Sequence, residues 1–349
     1  MSILTTQEKH DNYAIAVWLI ACCAVIFGMI ILGGVTRLTG SGLSMVDWAP
    51  IMGVLPPLNH VEWQEVFLRY QQFPEYQLKN YGMSLNEFKS IFWFEYGHRL
   101  LGRFIGVIFL LPFLYFLFRG KIEKSLTPKL IFMFILGGLQ GLMGWYMVKS
   151  GLVNDPYVSQ YRLTAHLGLA VLIYSYMLWV ALSLLFPKER EKYISGRSTL
   201  AWMSLMVTGL IIITILSGGL VAGTRAGHAF NTFPLMNGQL IPSGLFDVTP
   251  IWRNFFENII TVQFDHRVLA LLLFLLISIL WYKSGKIKMH TLAVTGRHLL
   301  LAALVLQITL GISTLLLVVP VALAASHQAG AIILLTASIF YSHQLNRKI

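Results

Sequence analysis

Two short stretches bring ionisable side chains into otherwise apolar surroundings. The first is Phe94-Glu95-Tyr96-Gly97-His98-Arg99-Leu100-Leu101-Gly102-Arg103, the second Gln263-Phe264-Asp265-His266-Arg267-Val268-Leu269-Ala270. A His-Arg pair stands in both, and Gln263 takes the place of Glu95. Ionisable groups in apolar segments are costly, which makes them functional positions by default. His166 follows His98 by 68 residues and His327 follows His266 by 61, while Gln140 and Gln307 follow the same two histidines by 42 and 41. The matching spacings indicate an internal duplication, one site built twice with a carboxylate at the Glu95 position in only one copy.

Two imidazoles from neighbouring helices suit the two axial positions of a haem iron, and a haem is an apolar plate that a helical bundle can hold. Zinc would want a third ligand, and neither copy offers a Cys or Asp at helical spacing. A proton relay is the other alternative, although it would not require histidines in pairs. A lone histidine in such a helix is more often a structural, hydrogen-bonded residue; four at matching places argue for ligands. Glu95 lies one turn before His98 on the same helical face. There it could move protons during oxidation of a haem substituent, bind an oxidised intermediate, or simply pair with Arg99 or Arg103. Arg99 and Arg267 follow histidines, and Arg37 and Arg225 follow glycine-rich helix ends. All four are placed to meet haem propionates, which the arginine fork matches; snorkelling toward lipid phosphates is the bland alternative. His10, His60, His290, His298 and His343 read as surface or interfacial residues, and His228 has no assigned role.

The elements that position these groups are membrane helices. The 349 residues are 56% hydrophobic and 12% charged, against about 25% charged in soluble domains. Eight stretches reach the roughly 20 apolar residues that cross a bilayer: 13–35, 91–118, 130–148, 163–186, 198–224, 266–282, 299–319 and 321–342. With the N-terminus inside, the inner segments hold 15 of the 26 Lys and Arg but 5 of the 15 acids. The net charge of +11 therefore reports topology rather than a nucleic-acid partner. Both termini are expected to be cytoplasmic, and the first span, too long for a signal peptide, is expected to be retained. Cys22 and Cys23 are adjacent in that span and suit neither a disulfide nor a thiolate metal site.

Four helices per copy is an even number, so both copies enter the membrane in the same sense. The expected fold is all-α and integral to the membrane: two parallel-repeat four-helix bundles, residues 1–190 and 191–349, with the histidines near the outer mouths of the helices. The first outer loop runs to about Ser90. Within it Trp63, Val66, Phe67 and Tyr70 share one helical face, which predicts an interfacial helix on the outer surface.

These residues together resemble the haem A synthase family. The resemblance covers essentially the whole chain: eight helices in two repeats, the run Gly33-Gly34-Val35-Thr36-Arg37-Leu38-Thr39-Gly40-Ser41-Gly42-Leu43, the motif from Glu95 to Arg99, and the further histidines. It implies that His98 and His166 flank the substrate, haem O, that Glu95 assists the chemistry, and that His266 and His327 hold haem b. It also implies stepwise oxidation of a porphyrin methyl to a formyl group with water as oxygen source, in the bacterial inner membrane. Haem O synthase and an electron acceptor are the implied partners beside membrane lipid. Some bacterial relatives carry a cysteine pair in the first outer loop; residues 36–90 contain none. The competing reading is a di-haem b electron-transfer cytochrome of quinol oxidoreductase type, which leaves the Glu95/Gln263 difference unexplained. A transporter is a third.

Overall fold

The computed structural model describes residues 6–46, 52–151, 157–187 and 197–346. The boundary expected at residues 190/191 lies outside the described residues. Eleven α-helices occur among them: α1 (Thr6–Leu38), α2 (His60–Tyr70), α3 (Pro74–Leu78), α4 (Leu85–Phe118), α5 (Thr127–Gly151), α6 (Gln160–Leu185), α7 (Arg197–Thr224), α8 (Asn254–Glu257), α9 (Ile259–Ser284), α10 (Thr291–Leu316) and α11 (Val321–Leu345). Eight of them, α1, α4 to α7 and α9 to α11, are long and apolar enough to cross a membrane. The chain is a multi-pass membrane protein.

The helix starts differ from the sequence expectation, and the caps explain why. Ser84 and Glu87 form a reciprocal capping box that begins α4 well before residue 91, satisfying two backbone donors at once. Asn258 accepts from the Ile260 amide and begins α9 at residue 259. His266 therefore lies inside its helix rather than at the first turn, and His98 lies deeper in its own than expected, where a rigid backbone fixes their direction.

Helix α1 packs against α4 and α6, α4 against α5, and α5 against α6; α7 packs in the same way against α9 and α11, α9 against α10, and α10 against α11. The two sets meet through α6 with α7, α1 with α11, and α6 with α11. Glycines permit the closest approaches: a Cβ built on Gly223 of α7 would lie 2.6 Å from the Gln160 Cα of α6.

One apolar core joins both sets. It fills the half of each helix remote from the long connections 39–84 and 225–258, with Leu19, Leu130, Val171, Ile211, Ile277, Leu304 and Leu335 fully or almost fully buried. Toward the long-loop end the buried apolar side chains give out at the level of the histidines. Cys22 and Cys23 are free thiols within this core. His343, expected at the surface, is instead 5% exposed. Its Nε2 is 3.2 Å from Ser183 Oγ and its ring lies edge-on to Trp179, because α11 is covered by neighbours almost to its last turn.

A second, smaller core caps the long-loop end. The α2 face bearing Trp63, Val66, Phe67 and Tyr70 packs on Phe88, Phe92 and Tyr96 of α4. Trp63 and Phe92 meet edge-to-face at 4.9 Å, and Phe92 and Tyr96 stack at 6.0 Å. The amphipathic face is thus satisfied by aromatic packing within the protein, not by lipid as the sequence reading expected.

Candidate functional site

Each of the four histidines rests on a glycine of a neighbouring helix. A Cβ built on Gly33 of α1 would come 2.9 Å from His98 Cε1, and one on Gly144 of α5 would come 3.1 Å from His166 Cε1. The same holds for Gly218 of α7 under His266, 3.3 Å, and Gly311 of α10 under His327, 2.8 Å. A side chain at any of these places would push the ring away, so glycine sets where the imidazole can lie. All four histidines are half-buried.

The His266 and His327 rings face each other with centroids 6.4 Å apart and planes at 86°. Two metal–nitrogen bonds of about 2 Å each, with ring centres about 1 Å beyond the nitrogens, put the centroids of two axial imidazoles about 6 Å apart. The 6.4 Å centroid separation matches that spacing. Ser217 Oγ donates to the Thr214 carbonyl at 2.8 Å and lies 2.7 Å from His266 Nδ1. Among the described residues no group of three or more His, Cys, Asp or Glu is placed to hold a metal ion. Gln140 donates to the His166 carbonyl at 3.1 Å and approaches its Nε2 at 3.4 Å.

Glu95 is 2% exposed. Ser44 Oγ and the Met45 amide both donate to its Oε2, at 2.7 and 2.8 Å, and Arg99 Nη2 donates to Oε1 at 2.6 Å. The same Arg99 nitrogen donates to the Met45 carbonyl at 2.7 Å. Arg99, one of the two arginines considered for Glu95, is paired with it. The pair clamps the segment leaving α1, where Gly40 turns the chain with φ +67°. In the other set, Gln263 Nε2 donates to the Phe230 carbonyl at 3.1 Å, and Arg267 donates to the carbonyls of Phe230 and Thr232, each at 2.9 Å. The carboxylate meets loop donors; the amide meets a loop acceptor. Both hold the connection that follows the preceding helix, and of the two only Glu95 does so with a carboxylate.

Arg37 donates to the Ala222 carbonyl of α7, tying the end of α1 across the seam. Arg225, held at φ 58°, places its guanidinium 4.0 Å from the Tyr157 ring centre. The four arginines named from the sequence thus all lie at the long-loop end, although Arg99, Arg267 and Arg37 each have backbone carbonyl partners.

Sequence reasoning named the histidines, Glu95 and the arginines but missed Ser44, the Met45 backbone, Ser217 and the role of the four glycines. The available signal was a glycine in an apolar helix, which has a packing reason more often than not.

The chain matches the family model described as COX15-CtaA, cytochrome oxidase assembly protein, over residues 16–339. It is 56% identical over 344 residues to the haem A synthase of Nitrosospira multiformis, covering 99% of this chain and 97% of that one. With the haem A synthase of Parvibaculum lavamentivorans it shares 48% identity over 340 residues, 97% of this chain and 96% of that one. The plant protein haem A synthase COX15 of Arabidopsis thaliana is 44% identical over 358 residues, 99% of this chain and 78% of that one. By family match and by near-full-length identity, the chain belongs to the COX15-CtaA family of cytochrome oxidase assembly proteins, that of the haem A synthases.

Proposed function

We propose that the chain oxidises haem O to haem A, converting a porphyrin methyl to a formyl group through hydroxylated intermediates with water as the oxygen source. What carries this reading is one asymmetry: two histidine–glycine sites share their framework, and one turn before the histidine the first has a buried carboxylate, Glu95, where the second has a buried amide, Gln263. A permanent two-haem relay would have no use for that difference.

In this reading residues 1–190 and 191–349 are parallel repeats, supported by the equivalent helix contacts of the two sets. His98 and His166 take the substrate haem; His266 and His327 hold haem b, supported by their 6.4 Å ring spacing. Haem b, when bound, supplies an exit for electrons. Methyl to formyl oxidation adds one water oxygen and releases four electrons and four protons, so a proton acceptor is needed beside the substrate. Glu95 is that group, and Ser44, the Met45 amide and Arg99 hold its carboxylate in one orientation. Such holding matters because general-base geometry is set to within hydrogen-bond reach. Arg37, Arg99, Arg225 and Arg267 are assigned to the propionates, which the guanidinium fork suits.

The long-loop end faces outward, supported by the excess of Lys and Arg in the opposite connections, and the termini are cytoplasmic in a bacterial inner membrane. Haem O is too apolar to diffuse freely in water, so the enzyme that makes it delivers it within the bilayer, and a redox partner removes the electrons. The test is Glu95→Gln. Formyl haem is expected to fall sharply while the variant, less stable for loss of the Arg99 ion pair, still folds and keeps its total haem. Unchanged formyl formation in a folded, haem-replete variant would remove Glu95 from the chemistry.

A further inference from the structure

The two sites differ in a second place that the proposed chemistry does not use. The residue preceding the glycine under His266 is Ser217, and the residue preceding the glycine under His98 is Leu32. Ser217 is within hydrogen-bond distance of His266 Nδ1 at 2.7 Å. Its single hydroxyl proton is already committed to the Thr214 carbonyl at 2.8 Å. The oxygen can then only accept, so the hydrogen lies on Nδ1 and the His266 Nε2 carries the free lone pair a metal needs. His98 Nδ1, by contrast, is buried with no hydrogen-bond partner among the described residues, and a leucine cannot supply one.

We propose that Ser217 is the positioning residue that makes the haem of the second site resident, and that Leu32 at the corresponding place leaves the haem of the first site exchangeable. A hydrogen bond from the far nitrogen fixes the tautomer and ring orientation of a metal-bound histidine and raises its basicity; losing such a partner typically costs about 10–100-fold in metal affinity. A resident cofactor benefits from that hold. A substrate that must enter as haem O and leave as haem A is better served without it. The inference rests on the assignment of haem b to His266 and His327 and of substrate to His98 and His166.

The test uses the purified full-length protein in detergent and follows haem transfer to excess apomyoglobin, together with the midpoint potential of the bound haem b. Ser217→Ala is expected to release haem b about 10-fold faster or more and to shift its potential positive, because a less basic imidazole stabilises the oxidised iron less. Ser217→Thr, which keeps the hydroxyl, is expected to restore both. Leu32→Ser is expected to slow release of the modified haems and leave haem b release unchanged. If Ser217→Ala matches wild type in off-rate and potential, or Leu32→Ser leaves release from the first site unchanged, the inference is overturned. His266→Ala serves as the separate control: if it keeps its haem b, the ligand assignment itself has failed, whatever Ser217 does.

Discussion

Gly33→Ala places a methyl group where the structure has too little room for one. The new Cβ would stand 2.9 Å from His98 Cε1 and 3.4 Å from Nδ1, whereas carbon atoms rest at about 3.5–4.0 Å. The imidazole must therefore move by about 0.6 Å or more, beyond the roughly 0.5 Å within which a working constellation has to be held. Overpacking costs about 1–3 kcal/mol, and replacing a mid-helix glycine by alanine returns about 1 kcal/mol. The net loss of stability is small, while the ligand moves out of place. Gly28→Ala on the same helix is the control, because nothing lies within 4 Å of its built Cβ. Mass analysis of extracted haems and thermal unfolding in detergent are expected to show Gly28→Ala close to wild type in both. Gly33→Ala should unfold within a few degrees of wild type yet lose most of its haem A. Wild-type amounts of haem A in Gly33→Ala would refute the reasoning that glycine sets the ring position.

Arg99→Met leaves the buried Glu95 without its ion-pair partner, where side-chain exposures are 8% and 3%; removing one member of a buried pair costs about 3–5 kcal/mol, and a loss under about 1 kcal/mol by denaturant unfolding would contradict that. Gln263→Glu turns a donor toward the Phe230 carbonyl into an acceptor, which should cost about 1–3 kcal/mol and confer no methyl oxidation on the second site; unchanged stability would count against the loop-clamp role. Burial holds the Glu75 carboxyl up at about 7, against an ordinary 4.5, with Lys79 and Tyr70 pulling it down and the charge of Glu95 pushing it up. The folded cap therefore binds the proton more tightly than the unfolded chain does, so this contribution is full below about 4.5 and is lost as pH rises through about 7. Limited proteolysis of α2 and α3 should accelerate as pH rises through about 7 in wild type and show no such step in Glu75→Gln.

The eight spanning helices were legible because length and apolarity alone decide them, and all eight appear in the structure. The helix starts were not, since they depend on Ser84, Glu87 and Asn258 capping backbone groups beyond the apolar stretch. The four histidines could be named from repeated spacing, but what lies under each ring could not: Gly33 and His98 are 65 residues apart in sequence and meet only when α1 packs on α4. Glu95 shows the same limit. Its neighbour four residues on was foreseeable as an ion pair, whereas Ser44 and Met45 reach it from a loop whose path no periodicity encodes. The α2 face was recognised as amphipathic, yet its partner is the aromatic extension of α4; an apolar stripe on a helix suits lipid and protein equally well.

The division of labour between the histidine pairs is best decided by extracting and weighing the haems of purified wild type, His98→Ala and His266→Ala, each supplied with haem O. The account predicts haem b together with haem O, hydroxylated haems or haem A in wild type. His98→Ala should lose the modified haems and keep haem b, and His266→Ala should lose haem b. Two unmodified haem b groups in every preparation, even with haem O supplied, would contradict it and make the protein an electron-transfer cytochrome.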